Sequence, residues 1–253
     1  MAKLLLHEMS WVDAKEYFSK NHVAIVPVGS NEQHGPANPL GTDHLIAKAF
    51  AEEASKRTGV VCLQVIPFGV SPHHRQFWGT VSVSPKVFRK YVKEVFLSLS
   101  YYGVNRIVVV NGHGGNLAGL VEVAREMREL GVFVSVWQWW PAAEEVLPRI
   151  FSDEERHHAG AEETSVNLAL HEHLVNKERL RNERLRTHAL KLAGISLPLD
   201  SVDETPSGVF GKQKTASVEK GRKVFDACLK VLVKHVDLVK KSEMDDLLSK
   251  AKV

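Results

Sequence analysis

The sequence predicts an α/β fold of three layers, αβα, built on a mostly parallel central sheet. Three observations predict it. Short apolar runs alternate with longer segments of helical periodicity. Runs such as HVAIVPV (22–28) and RIVVV (106–110) are apolar without interruption, as strands covered on both faces are. Glycine-bearing loops then lead from strand to helix, the order of βαβ units.

Met9–Asn21 reads as a first helix with Ser10 as N-cap. His22–Val28 is a buried strand ended by Gly29. Thr42–Thr58 places Leu45, Ile46, Ala49, Phe50 and Ala54 at helical spacing, and Gly59 closes it. Val60–Phe68 is a second buried strand. Pro85–Tyr102 is a helix with proline in its first turn. Arg106–Val110 is a third strand, Asn116–Leu130 a helix and Val132–Trp137 a fourth strand. Glu162–Leu174 and Ser217–Val239 are the remaining helices.

The 253 residues form a single domain, 1–253, with no internal repeat or linker. A formal charge of +3, with Lys/Arg interleaved among Asp/Glu, gives no reason to expect nucleic acid or an anionic membrane as partner. Two distant cysteines, Cys62 and Cys228, are no disulfide framework. MAKLLLHEMSW is too short and polar for a signal peptide, so a cytoplasmic protein is expected. The Lys-rich tail (Lys240, Lys241, Lys250, Lys252) is assigned no chemistry.

In parallel sheets, sites form outside the carboxyl ends of the strands. Two loops there carry unusual residues. In VGSNEQHGPANPLGTDH (28–44), Glu32 and His34 share one side of an extended segment, and Asp43 opens the next helix. Asp43 has two readings, a helix-dipole carboxylate or a ligand. In NGHGGN (111–116), glycines leave His113 unobstructed and allow close backbone approach to a ligand. The loop has neither the GxGxxG nor the GxxxxGK[ST] spacing of phosphate cradles. A third segment, RHHAGAEETS (156–165), adds His158 and Glu163. Glu162, in a first helical turn, reads as serving only the dipole. Imidazoles and carboxylates without clustered cysteine suit Zn or Mn. Two such ions sharing a carboxylate activate water for attack on an amide, and a nearby histidine can move the proton.

GSNEQHGPANPLGTD (29–43), FWGTVSVS (77–84), NGHGGN, HAGAEETS (158–165) and KTASVEKG (214–221) together resemble the creatininase (creatinine amidohydrolase) family over most of the chain. The resemblance implies a creatininase-like αβα fold and two divalent metal ions per subunit, zinc and/or manganese with iron as a further option. It also implies a homo-oligomer, with a hexamer favoured. By the resemblance, Glu32 and His113 hold one metal, His34 and Glu163 the other, Asp43 bridges them, and His158 shuttles protons. Trp140, Gly114, Gly115 and His74 are the expected substrate contacts.

The departures bear on substrate. Creatininase proper has a glutamate at the position of Gly115 and a tryptophan at that of Glu154; many relatives have Glu at that of Ala161 and Pro at that of Trp78. The expected function is therefore a metal-dependent amidohydrolase acting on a small-molecule cyclic amide or related non-peptide C–N bond, not necessarily creatinine. One alternative is the family's deformylase activity on a formamidopyrimidine nucleotide. Another, of a different class, is a non-catalytic metal- or ligand-binding protein that keeps the fold. His73, His74 and Arg75 are read either as contacts to an anionic substrate or a neighbouring subunit, or as a solvated loop. Trp137 reads as core, and Trp139 and Trp140 as an aromatic wall or an oligomer interface.

Overall fold

The computed structural model describes residues 3–187, 189–190 and 193–248; Lys250 and Lys252 of the tail lie outside the described residues. Four parallel strands lie in the order β2-β1-β3-β4. They are β1 (Val23–Val28), β2 (Val61–Cys62), β3 (Arg106–Asn111) and β4 (Phe133–Gln138). Central β1 and β3 pair from Val23↔Arg106 to Val28↔Asn111, and β3 pairs with β4 from Arg106↔Phe133 to Asn111↔Gln138. The strands therefore end level, and their loops emerge on one rim.

Helices cover both faces. Helix α1 (Trp11–Phe18) is held by a capping box between Ser10 and Asp13. It lies with α3 (Pro85–Tyr101) and α4 (Leu117–Glu129) on one face, where Phe18, Phe88, Phe96, Leu120 and Met127 pack on Val26, Val28 and Val109. The other face carries α2 (Thr42–Thr58), α6 (Ala161–His171) and α8 (Val218–Lys241). There Phe50, Val166, Leu229 and Leu232 pack on Ile25, Val108 and Val110. Alternate residues of one strand feed opposite cores, which is why both central strands read as unbroken apolar runs. Two short helices, α5 (Trp139–Ala142) and α7 (Ser201–Glu204), flank the rim, and α9 (Met244–Leu247) ends the described chain. None of the described helices is long and apolar enough to cross a membrane.

The second strand is the main departure from expectation. Only Val61–Cys62 of the expected 60–68 is a strand. Past Cys62 the chain still follows β1, with Ile66 N–H donating to Pro27 C=O over 2.9 Å, but only an isolated Val28↔Ile66 bridge forms. The cause lies in β1, whose Pro27 has no N–H to donate. Since a strand residue's N–H and C=O point the same way, Pro27's missing donor faces this ragged edge and leaves the β1–β3 ladder whole. The helix expected to end at Leu174 becomes a 3₁₀ turn after His171.

Candidate metal centre and cleft

The rim is closed by approaches that only glycine permits. A Cβ on Gly112 would stand 2.2 Å from the Asp43 carbonyl oxygen, so the start of α2 sits directly against the end of β3. The asparagines of NGHGGN staple the loops together. Asn116 Nδ2 donates to Gly29 C=O over 3.0 Å, its Oδ1 accepts from Val70 N–H over 2.9 Å, and Asn111 Nδ2 donates to His113 C=O over 2.7 Å.

Glu32, His34, Asp43, His113, His158 and Glu163 converge there. Asp43 spans the group: its Oδ1 lies 3.0 Å from His34 Nε2, and its Oδ2 lies 3.2 Å from His113 Nδ1. Glu32 Oε1 is 3.2 Å from His113 Nδ1, and Glu163 Oε2 is 3.6 Å from His34 Nε2. Asp43 stands in the first turn of α2, where its charge suits the dipole, but the N-cap is Gly41 and both Asp43 oxygens face histidines.

Each imidazole is oriented from behind. His34 Nδ1–H donates to Glu32 C=O over 3.1 Å, which turns Nε2 toward the centre. His113 Nε2–H donates to Val70 C=O over 2.9 Å, leaving Nδ1 bare. Carbonyl acceptors behind imidazoles are how metal-binding histidines are held in one tautomer. Meanwhile Glu32 Oε2, His34 Nε2 and Asp43 Oδ2 are buried with no hydrogen-bond partner among the described residues. Buried polar atoms without partners are costly; a divalent cation among them would satisfy all three. The donor set, nitrogen and carboxylate oxygen only, fits such a cation. Three overlapping groups have ligand atoms close enough to hold one: Glu32/Asp43/His113, His34/His158/Glu163 and Glu32/His74/His158.

The charges are interdependent. Burial works against protonating His34, but the Asp43 and Glu163 carboxylates overcome it and raise its pKa to about 10. Burial likewise opposes the charge on Asp43, yet His34 holds its carboxyl well below the usual range. Burial lifts Glu163 to about 7. His158 is pushed well below the ordinary histidine value by burial and by His34, so it is a neutral base at neutral pH. Its neighbour Ala159 takes φ +56°, a left-handed conformation that costs a non-glycine residue about 1 kcal/mol or more. That turn aims Ala159 N–H at Glu163 Oε2, 2.6 Å away.

Beside the centre opens a cleft of about 470 Å³. Trp140, Gly114 and Gly115, for which substrate contacts were expected, line it. His74 also reaches it but is 3% exposed, its Nε2 3.4 Å from Glu32 Oε1. His73 lines the cleft as well, whereas Arg75 is exposed and turns its Nε–H to the Pro72 carbonyl. Trp137 is core, as read; Trp139 is packed in the core as well, and together with Trp140 it lines the cleft. Glu162 does more than serve a dipole. It is buried in the cleft wall, and burial together with Glu163 raises its pKa to about 8. Glu154 points away from the centre, exposed and paired with Lys212 over 2.6 Å.

Sequence reasoning missed Gln33, Ser201 and Phe210. Gln33 and Ser201 bond the site's histidines, and Phe210 sets its ring edge-on to His158, centroids 5.6 Å apart. Gln33 lay within a quoted motif. Ser201 and Phe210 are in a segment with no motif, and nothing local marks them.

A family profile for creatininase, creatinine amidohydrolase, matches residues 7–236. The creatinine amidohydrolase of Pseudomonas putida is 28% identical over 244 residues, covering 88% of this chain and 92% of that protein. The mycofactocin precursor peptide peptidase of Mycobacterium tuberculosis is 32% identical over 228 residues, covering 84% and 83%. A solved creatininase variant of Zn–Zn type aligns with a TM-score of 0.81 at 25% identity, over 96% of this chain and 100% of that one. The chain belongs to the creatininase family.

Proposed function

We propose that this member of the creatininase family is a metal-dependent amidohydrolase that hydrolyses a cyclic amide or a related non-peptide C–N bond. Two divalent cations, zinc and/or manganese, would be held by Glu32 and His113 on one side and His34 and Glu163 on the other, with Asp43 shared. The observation that carries this is the division of Asp43, one oxygen toward His34 and the other toward His113, among buried atoms that have no other partner. The Zn–Zn form of a structural relative supports zinc.

Cations in this position supply Lewis acidity and lower the pKa of water near them. The chain's own residues do the rest. His158 presents Nδ1 toward the centre, 3.9 Å from Glu32 Oε1, and its Nε2 is anchored on Gln33. Neutral and partly buried, it takes a proton at Nδ1 and returns it to the leaving nitrogen. Trp140 and the Gly114–Gly115 backbone seat the substrate beside it. A glutamate at position 115 is not part of this chemistry: a Cβ on Gly115 would stand 2.3 Å from the Val70 carbonyl oxygen and 2.5 Å from His113 Nε2.

The test is metal content per chain, with hydrolysis assayed on loaded and chelated protein against creatinine, lactams, formamides and short peptides. About two metals per chain and turnover lost on chelation are expected. No retained transition metal under any loading condition would sink the reading. Metal without turnover on any substrate would leave a metal-binding protein.

A further inference from the structure

One residue connects both histidines that stand behind Glu32. Gln33 is 4% exposed and every polar atom it carries is used. Its backbone N–H donates to Thr80 Oγ1 over 3.1 Å. Its Oε1 accepts from Gly35 N–H over 2.9 Å, which decides the orientation of the amide. The NH₂ group must then face the histidines. Nε2 lies 3.0 Å from His74 Nδ1 and 2.9 Å from His158 Nε2. The Gln33 carbonyl oxygen is also 2.9 Å from His158 Nε2.

We infer that Gln33 is a positioning residue, which places the proton of His74 on Nε2, facing Glu32, and pins the ring of His158. The inference rests on the proposed role of Glu32 and His158. An amide NH₂ can only donate, so His74 Nδ1 must accept and the proton of a neutral ring sits on Nε2. That N–H points at Glu32 Oε1, 3.4 Å away. His74 is therefore a donor that orients a carboxylate, and the Glu32/His74/His158 group is no third metal site. Ser201 Oγ, 2.6 Å from the same Nδ1, donates alongside.

His158 gains something different. Its Nε2 has an acceptor, the Gln33 carbonyl, and a donor, the Gln33 amide, at the same distance. The ring keeps a hydrogen bond whichever nitrogen carries the proton. Gly208 closes directly over the amide: a Cβ there would stand 1.8 Å from Gln33 Oε1.

The test reads tautomers and needs no substrate. Long-range proton–nitrogen spectra of the full chain, ¹⁵N-labelled at histidine and loaded with zinc, would assign His74 by its absence in His74→Gln. Wild type is expected to show His74 with Nδ1 bare and Nε2 protonated. In Gln33→Glu an oxygen replaces the donor, and Nδ1 should move from the unprotonated to the protonated range. Zinc content should stay at the wild-type level, because Gln33 is not a ligand. A wild-type His74 protonated on Nδ1, or a tautomer unmoved in Gln33→Glu, overturns the inference. Should Gln33→Glu fail to fold, Gln33→Leu makes the same comparison, since Ser201 alone would then partner Nδ1 and could accept its proton. Failure of wild type to take up zinc would refute the metal centre instead; the same spectra of the metal-free chain would still decide the role of Gln33.

Discussion

Asn38 Nδ2 donates to Thr164 Oγ1 over 2.8 Å, across a buried seam between the loop that carries Glu32 and His34 and the helix that carries Glu163. Asn167 completes the seam, its Nδ2 donating to Thr42 Oγ1 over 2.9 Å and to Asn38 Oδ1 over 3.3 Å. Three segments that each bring part of the centre are thus tied together behind it. Asn38→Ala removes one partner and leaves Thr164 and Asn167 underbonded. It should cost about 1–3 kcal/mol, the usual penalty for stranding a buried polar group, read as a lower denaturation midpoint in urea at unchanged slope.

Removing the shared carboxylate should remove the metals' contribution to stability. A ligand that binds only the folded chain stabilises it by about 2.7 kcal/mol when present at a hundred times its Kd. Zinc added to chelated wild-type protein should therefore raise Tm in a thermal melt, with a shift that grows with zinc concentration. In Asp43→Ala that shift should vanish. An undiminished zinc-dependent shift in Asp43→Ala would contradict the shared position of Asp43.

Gly115 is held by a close approach and not by the loss of a function. A methyl group there would press on the Val70 carbonyl, the same oxygen that receives the His113 Nε2 proton. Gly115→Ala should therefore loosen His113 from behind. Disturbing such a supporting bond lowers metal affinity about 10–100-fold, which a competition titration with a chromogenic zinc chelator would measure.

Stability in acid should report on Glu155. Burial opposes its charge, but the Thr215 hydroxyl and the Ser152 N–H and hydroxyl bond the carboxylate and bring its pKa down to about 2. The folded pKa lies below the unfolded one, so the ionised form is the stabilising one. Its contribution is complete above about pH 4.5, the ordinary glutamate range, and is lost as pH falls toward 2. The Tm difference between wild type and Glu155→Gln should be constant from pH 7 to 5 and shrink below pH 4.5. A difference that holds down to pH 3 would contradict the assignment.

Much of the fold was legible because strands covered on both faces leave little room for polar residues. The runs at 22–28 and 106–110 announced β1 and β3, and helical periodicity announced α2, α3, α4 and α8 to within a few residues. The 60–68 run misled for a related reason: apolar composition marks burial, whereas a strand also needs facing donors for its C=O groups, and Pro27 supplies none at that edge. Glu32, His34, Asp43, His113, His158 and Glu163 were visible because ligand-type residues stood among glycines at strand ends. Gln33 was not, because strand alternation turns it away from its neighbours. That rule says nothing about what lies on the far side.

The sequence by itself determined the layers, the parallel order of strand and helix, and the kinds of atoms gathered at the rim. These are local matters, set by periodicity and by residue chemistry. Only the tertiary structure decided which atoms meet. It set the two oxygens of Asp43 against histidines from two different loops, withdrew His74 behind Glu32, buried Glu162 in the cleft wall, and closed Gly208 over Gln33. Those contacts join residues far apart along the chain, and their distances follow from how helices and loops pack against the sheet, which no local pattern records.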